Sequence, residues 1–414
     1  MDLTLDPVVK NGVWLEVAPL IRQALSHKEV GEFATAIQLL TGQFAEFSSS
    51  VELLSLLTHC YILDDDAENA SIYLAKAKAI DPHHVLVSWN EVRLLMKNKN
   101  VPDALVVARK TIERYPDDIE GMGVIGACLR VSNKIEDSLI YLDRAISLNP
   151  IYAEALINRG LIKLTRNDKP GALSDLETAH KLKPHIRQIW DLVISLNLEL
   201  KQFGQAKSFL VKMVEVDPSN VKNFMNLAFC NQTLGDLESA IDNYKQVLKV
   251  NPDFAEAYYN MGILLNEGGD LEGAIHSYQQ AVLIQPTHAQ AYYNMGNVLR
   301  RCGDFEAAID RYKQALKIKP DYAQAYYNMG NSLRDRGDLE AAIESYKQSL
   351  KIDPDYAEAY NNLGLTQNDK GDRTAAIDSY NKAVQINPDY AEAYNNTGIA
   401  LKETGDFLAA IKSY

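Results

Sequence analysis

Residues 357–390, AEAYNNLGLTQNDKGDRTAAIDSYNKAVQINPDY, carry the pattern that decides the fold. On either side of Gly371-Asp372, apolar and small residues return at three- and four-residue spacing, which predicts two amphipathic helices. The glycine supplies a left-handed cap for the first helix, and the aspartate accepts from free N–H groups of the second. Pro388 stops the second helix because the residue before a proline avoids helical geometry. The stretch therefore predicts a helical hairpin.

This hairpin recurs along the chain with a period of 34 residues. Ten of the fourteen prolines, from Pro82 to Pro388, stand at this spacing. Placing that proline in column 32 starts the units at Val17, Val51, Val85, Ile119, Ala153, Arg187, Val221, Ala255, Ala289, Ala323, Ala357 and Ala391. Column 20 is alanine in eleven of these twelve units, with Ser138 as the exception. We therefore predict an all-α solenoid of about eleven full hairpins and a partial twelfth.

A second start signal follows the column-32 proline in some units. Aspartate and glutamate stand three residues apart at Asp253 and Glu256, and the same spacing recurs in the units from Ala357 and Ala391. This spacing predicts a capping box, in which the aspartate caps the next helix and the glutamate bonds back to the N–H of the cap.

The repeat is uneven, and its variation predicts three regions. Residues 1–50 contain an N-terminal cap and a degenerate first repeat, with Ser48 where the proline belongs. Residues 51–220 form divergent units without the Gly-Asp turn, and residues 221–414 form consensus-like units, the last one incomplete. Because Tyr414 falls inside a second helix and leaves it uncapped, we expect the natural chain to continue.

The run Ala-Glu-Ala-Tyr-Asn-Asn-Leu-Gly at 357–364, followed by Gly371-Asp372, Ala376, Tyr380 and Pro388, resembles a consensus tetratricopeptide repeat (TPR). The resemblance covers nearly the whole chain. It implies an α-α superhelix in which the first helices of stacked hairpins line the concave side. Such repeats serve many unrelated scaffolds, so the resemblance is specific for fold and not for function.

Composition and motifs argue against several classes of function. A net charge of -13 without a basic cluster disfavours nucleic acid and anionic membranes as partners. The first residues lack a basic and apolar leader, so we expect a cytoplasmic protein. The run from Gly121 to Gly126 matches the G-x-G-x-x-G dinucleotide fingerprint, but it falls within a predicted helix instead of following a strand. We predict no enzyme activity, cofactor or metal site for this chain.

Column 6 is the most informative polar column, because it holds asparagine in eight of twelve units. The predicted partner-binding residues combine this column with tyrosines of column 5, asparagines of column 9 and arginines of column 12 in the later units. They are Asn260, Asn294, Asn328, Asn362 and Asn396, with Tyr259, Tyr293, Tyr327, Asn297, Asn331, Arg300 and Arg334. The amides resemble the asparagine ladder inside the superhelix of O-GlcNAc transferase, which implies bonding to a peptide backbone. Alternatively, they bond one hairpin to the next.

The leading hypothesis is a non-enzymatic scaffold that binds an extended peptide or protein partner on its concave face. A second hypothesis is the substrate-recognition arm of a larger glycosyltransferase-like enzyme whose catalytic domain lies beyond Tyr414. A third is self-association through the uncapped C-terminal end, because stacking of such ends builds filaments.

Overall fold

The computed structural model describes residues 14–42 and 50–414, so part of the predicted N-terminal cap lies outside it. The chain divides into two compact units, Met1–Phe209 and Leu210–Tyr414, called here unit 1 and unit 2. The predicted all-α hairpin array is confirmed: the described residues form 24 helices and no strand. The three sequence regions predicted from repeat chemistry, which divide at 220, stay a prediction.

The helices of unit 1 come in pairs that follow the 34-residue frame. They are α1 (Trp14–Glu29), α2 (Phe33–Gly42), α3 (Val51–Leu63), α4 (Ala67–Ile80), α5 (Val85–Lys97), α6 (Val101–Arg114), α7 (Ile119–Val131), α8 (Ile135–Leu148), α9 (Ala153–Thr165), α10 (Lys169–Leu182), α11 (Arg187–Glu199) and α12 (Phe203–Val216). The boundary between the two units falls within α12.

Unit 2 continues the same alternation of first and second helices. Its helices are α13 (Val221–Thr233), α14 (Leu237–Val250), α15 (Ala255–Glu267), α16 (Leu271–Ile284), α17 (Ala289–Arg301), α18 (Phe305–Ile318), α19 (Ala323–Arg336), α20 (Leu339–Ile352), α21 (Ala357–Asp369), α22 (Arg373–Ile386), α23 (Ala391–Glu403) and α24 (Phe407–Ser413).

From α1 to α11 in unit 1 and from α13 to α24 in unit 2, the two helices of a hairpin pack on one another, and a second helix packs on the next first helix. The column-20 alanines lie at the centre of these contacts, and Ala274, Ala308 and Ala342 have no exposed surface. The exception, Ser138, satisfies its hydroxyl by donating to the carbonyl of Gly126 at 2.6 Å. A small residue is needed here because a larger one would separate the two helices of the hairpin.

The Gly-Asp turns of unit 2 adopt the predicted geometry. Gly303 has a φ of +81°, and Asp304 accepts from the N–H of Ala307 at 3.0 Å as the cap of α18. The residue before the column-32 proline is extended, as Asn387 shows with φ −121° and ψ 96°. In unit 2, the residues that end and begin the helices of a hairpin can therefore be recognised in the sequence.

The predicted capping box is wrong. The cap of α15 is Phe254, of α21 Tyr356 and of α23 Tyr390, and none of these residues makes a side-chain cap hydrogen bond. The helix starts one residue later than the aspartate pattern suggests, which places Asp253 in the preceding turn. There its N–H donates to the Oδ1 of Asn251 at 3.2 Å.

The divergent units of unit 1 keep the left-handed turn without glycine. Positive φ values occur at Asp65, Lys99, Asn133, Asn167 and Lys201, all in the column that later units fill with glycine. A residue with a Cβ is strained in this conformation by about 1–2 kcal/mol, although asparagine and aspartate tolerate it better. The fold thus imposes the turn on residues that do not favour it.

Replacing Lys99 or Lys201 by glycine should therefore stabilise unit 1, by about 0.5–1 kcal/mol for each change. Relief of the strain exceeds the extra entropy that glycine gives the unfolded chain. Asn133→Gly is the matched control and should have almost no effect, because asparagine already tolerates the left-handed conformation. Urea unfolding followed by circular dichroism measures all three, and an equal gain at Asn133 would contradict strain as the cause.

Candidate functional site

The predicted site residues of unit 2 lie on its first helices, α15, α17, α19, α21 and α23. First helices of successive hairpins contact one another more than second helices do, so they line the inner side of the unit. The column-6 asparagines are half-buried on this side. We call the twelve predicted residues the amide–tyrosine strip: Asn260, Asn294, Asn328, Asn362, Asn396, Tyr259, Tyr293, Tyr327, Asn297, Asn331, Arg300 and Arg334.

Hydrogen bonds between hairpins hold the amides of this strip in place. The Nδ2 of Asn328 donates to the Oη of Tyr293 at 2.9 Å and to the Oδ1 of Asn297 at 3.0 Å. One repeat later, the Nδ2 of Asn362 donates to Tyr327 at 3.0 Å and to Asn331 at 2.9 Å. Each amide thus spends both N–H groups on the preceding hairpin.

The ends of the strip follow the same rule with different partners. Asn294 donates to the Oη of Tyr259 at 3.3 Å, and Asn396 donates to the Oδ1 of Asn361 at 3.0 Å because column 5 is asparagine in that unit. Asn260 lies beside the hydroxyl of Tyr244. The hairpin-bonding role considered from the sequence is therefore present along the strip.

Tyrosines of the second helices extend this network into the core. The hydroxyl of Tyr346 donates to the Oδ1 of Asn331 at 2.7 Å, and that of Tyr312 donates to Asn297 at 2.9 Å. Burial raises the pKa of both phenols well above the ordinary value, so they stay protonated as donors. Asn331 thereby joins its own second helix to the next hairpin.

The two arginines of the strip are also engaged between hairpins. Arg300 pairs with Asp335 at 2.8 Å, and Arg334 pairs with Asp369 at 3.2 Å, in each case reaching the next first helix. These pairs are partly exposed and contribute little stability. An acidic ligand group would have to compete with an aspartate that is already in place.

Sequence reasoning missed a set of rings in column 34. Tyr322 lies 4.8 Å from Tyr293 between ring centroids, and Tyr356 lies 4.8 Å from Tyr327. His288 takes the same place beside Tyr259 at 4.5 Å. The signal was available, because column 34 is aromatic or histidine from Phe254 to Tyr390.

These rings add aromatic surface to the inner side of unit 2. Burial, with the neighbouring phenols, raises the pKa of Tyr322 to about 12. The ammonium of Lys319 lies 4.8 Å from the centroid of the Tyr322 ring, a cation–π distance. The inner side therefore combines flat aromatic surface with amides at one-repeat spacing.

The first helices of unit 1 take part in charged pairs instead. Arg93 pairs with Glu120, and Lys183 pairs with Glu154. Burial and the cations Lys28, Arg93 and Lys183 hold the pKa of His59 well below its ordinary value, so that this imidazole is neutral at pH 7.

Column-6 asparagines have other partners in unit 1. Asn90 donates to the carbonyl of Ser55 at 2.7 Å, and Asn158 accepts from the Nε of Arg130 at 3.0 Å. The tyrosine partners of unit 2 are replaced, so the ladder is a property of the later repeats.

The glycines of the dinucleotide-like motif lie within α7, as the sequence predicts. A Cβ on Gly121 would fall 2.2 Å from the ring of Trp89, and one on Gly126 would fall 2.5 Å from Leu142. Packing accounts for both glycines.

Within residues 14–42 and 50–414, no group of three or more histidine, cysteine, aspartate or glutamate side chains could hold a metal ion. In the same part of the chain, no helix is long and apolar enough to cross a membrane.

Comparison with known proteins agrees with the 34-residue period. A family model described as "TPR repeat" matches residues 233–267, 264–301, 296–333, 330–371 and 368–405. A crystal structure of MamA shares 32% sequence identity over 40% of this chain and 97% of MamA, with a TM-score of 0.39. The chain belongs to the tetratricopeptide repeat family.

Another tetratricopeptide structure, YrrB, is titled "a TPR protein with an unusual peptide-binding site". It shares 24% identity over 44% of this chain and 95% of YrrB, with a TM-score of 0.41. Among curated proteins, none matches this chain at a significant level. The tetratricopeptide match places the protein among protein-interaction scaffolds.

Proposed function

We propose that unit 2 binds an extended segment of another protein along the amide–tyrosine strip. The observation that carries this proposal is the orientation of the column-6 amides. Asn362 spends both N–H groups and Asn294 spends one on the preceding hairpin, while the Oδ1 atoms of these two asparagines accept no hydrogen bond from a described residue and are not buried. The strip therefore offers a row of fixed acceptors that is interrupted at Asn328, whose Oδ1 already accepts from the Nδ2 of Asn331 at 3.5 Å.

An extended peptide fits such a row in length and chemistry. Packed helices lie about 8–10 Å apart, so the free acceptors of Asn294 and Asn362, two repeats apart, are separated by about 16–20 Å, which an extended chain advancing about 3.3 Å per residue spans in about five or six residues. Backbone N–H groups are the natural donors to these acceptors, and the rings of Tyr322 and Tyr356 offer apolar contact between them. Because the amides are already held, binding costs little side-chain entropy.

Two triple variants separate ligand contact from hairpin stacking. Asn294→Ala, Asn328→Ala and Asn362→Ala together remove the acceptors and the bonds to the preceding hairpin. Tyr259→Phe, Tyr293→Phe and Tyr327→Phe remove the corresponding tyrosine bonds but leave the amides. Peptides selected from a phage-displayed random library on the 414-residue chain serve as probes, with affinity measured by fluorescence anisotropy.

The asparagine triple variant should weaken binding of the selected peptides at least about fivefold, since the two lost hydrogen bonds to Asn294 and Asn362 contribute about 0.5–1.5 kcal/mol each. The tyrosine triple variant should change affinity by less than about threefold while losing comparable thermal stability. Equal affinity losses in both variants would instead assign the effect to stacking, and unchanged binding in the asparagine variant would exclude the strip as the site.

A further inference from the structure

The turn between α1 and α2 touches the turn between the fifth and sixth hairpins of unit 1. A Cβ on Gly31 would lie 2.8 Å from the Cδ2 of His185, which follows Pro184 between α10 and α11. The ring of His185 also meets the ring of Phe33 edge to face, with 6.4 Å between the centroids. Stacking of neighbouring hairpins alone does not produce this contact, so unit 1 closes on itself here.

The C-terminal end of α1 faces charged residues of later hairpins. The ammonium of Lys28 interacts electrostatically with Glu120 on α7, with Arg93 on α5 and with Lys183 after α10. Stacking on the next hairpin would bring α1 close to α3 only. The first helices α3, α5, α7 and α9 contact one another in succession, so they line the inner side of unit 1. The end of α1 therefore lies over this inner side.

The ion pair of Arg93 with Glu120 shows the effect of this cover. The two side chains are 16% and 20% exposed. In unit 2, the pair of Arg300 with Asp335 also joins successive first helices, but its side chains are 38% and 36% exposed. Lys28 interacts with both members of the unit 1 pair. The first hairpin thus shields a pair that is more open in unit 2.

His185 occupies a position that is exposed in other turns. It stands in column 33, directly after the column-32 proline, where His83 is exposed in an earlier turn. The column is also exposed at Asp253, Asp321, Asp355 and Asp389. His185 is half-buried instead, and its Nδ1 is buried without a hydrogen-bond partner among the described residues. Protonation of this ring would add a charged donor that has no acceptor.

Three charged groups face the His185 ring from the elements around it. Lys183 in the same turn disfavours a protonated imidazole, whereas Glu154 on α9 and Glu29 on α1 favour it. Burial has the largest effect, and the pKa of His185 lies below its ordinary value. The neutral ring is therefore the form that fits the contact.

His59 on α3 responds to protons in the same direction. Burial, followed by the cations Lys28, Arg93 and Lys183, holds its pKa well below the ordinary value. Lys28 belongs to the first hairpin, so moving that hairpin away would remove one of these cations and admit water to the imidazole.

We propose that the α1–α2 hairpin is a lid on the inner side of unit 1, and that the lid opens when His185 gains a proton. In the closed form, the ring packs against Gly31 and Phe33. In the same turn, His27 and Glu32 pair with one another at 2.5 Å. Opening would hydrate the His185 ring and make the first helices of unit 1 accessible to a ligand.

The direction of the response follows from proton binding. The closed lid keeps His185 neutral, whereas a hydrated imidazole has a pKa of about 6.5. Closure is therefore most stable above about pH 6.5 and weakens as the pH falls below that value. Between about pH 7.5 and 5.5, the ratio of open to closed protein should rise by up to about tenfold for each histidine that closure keeps neutral.

The test measures the distance between two nitroxide labels on the 414-residue chain. Gln38→Cys on α2 and Lys181→Cys on α10 place the labels at exposed positions of the lid and of the fifth hairpin. Cys302→Ser removes the exposed native thiol. Double electron–electron resonance should give one narrow distance at about pH 7.5, and a second, longer distance should appear at about pH 5.5.

Histidine variants of the labelled protein identify the group that responds. His185→Gln keeps a polar side chain that does not titrate, and it should reduce the longer-distance population at about pH 5.5 by about threefold or more. Adding His59→Gln should leave the lid closed at both pH values. His83→Gln is the matched control, because it changes the same column in an exposed turn, and it should leave the response unchanged.

Three results would overturn this proposal. One is a single short distance at both pH values, and another is a broad distance distribution that does not change with pH. The third is an acid-induced longer distance that His185→Gln leaves unchanged. Circular dichroism of each protein at both pH values establishes that the helices are kept, so that the longer distance reports movement of the lid and not unfolding.

Discussion

Asp175→Ala should destabilise unit 1 by about 3–5 kcal/mol, the cost of removing one partner from a buried ion pair. Asp175 on α10 is 5% exposed, and its two oxygens accept from the Nε and Nη2 of Arg159 at 2.9 and 2.8 Å. Lys163 lies 2.7 Å from the same carboxylate. Without the Asp175 carboxylate, the cations Arg159 and Lys163 on α9 would have no buried counterion.

The matched control is Asp143→Ala, because Asp143 contacts the same arginine at 2.9 Å but is 56% exposed. Removing an exposed partner should cost less than about 1 kcal/mol. Urea unfolding of both variants at neutral pH measures the difference. Similar losses for the two aspartates would show that burial of Asp175 does not set the energy of this cluster.

The pKa of Asp175 provides a second readout of the same prediction. Burial alone would raise this pKa, but hydrogen bonds from Arg159 and Lys163 outweigh burial and hold it below the ordinary value. The contribution to stability is then complete above the unfolded pKa, near 4, and is lost as pH falls through the lower native pKa. The difference in unfolding free energy between the wild-type protein and Asp175→Ala should therefore shrink in acid.

Gly330→Leu should destabilise unit 2 by about 3 kcal/mol or more through overpacking. A Cβ on Gly330 would lie 2.7 Å from the ring of Tyr346. That ring has no exposed surface, and its hydroxyl is bonded to Asn331 at 2.7 Å, so it cannot move aside without breaking the network between hairpins. Alanine carries the same Cβ, so Gly330→Ala should also be destabilising, although by less than leucine.

Gly204→Leu is the control for this substitution. Gly204 also lies in a helix, α12, but nothing is within 4 Å of a Cβ placed there. Because leucine favours a helix over glycine by about 0.5–1 kcal/mol, the change should be neutral or slightly stabilising. Thermal unfolding followed by circular dichroism compares the two variants. If Gly330→Leu left the stability of unit 2 unchanged, the ring of Tyr346 would not be tightly packed against Gly330.

The repeat pattern in the sequence predicts some contacts of the candidate site but not others. Column counting identified Asn328, Tyr293 and Asn297 as neighbours on one face, and the structure joins them by hydrogen bonds. Counting could not show that both N–H groups of the amide are spent, because that depends on side-chain orientation across two hairpins. The binding role that we propose for the strip consequently rests on its acceptors, and the sequence alone does not distinguish these from the donors.

The sequence by itself determined the hairpin, its 34-residue period and the turns between its helices, because proline, glycine and aspartate act through local geometry within a few residues. Tertiary packing decided the rest. It moved the cap of α21 to Tyr356 and imposed a left-handed turn on Lys99, since contacts between stacked helices outweigh about 1–2 kcal/mol of local preference. It also buried Asp175 against two cations and left Ile140 exposed, because burial depends on neighbours that lie far away in sequence.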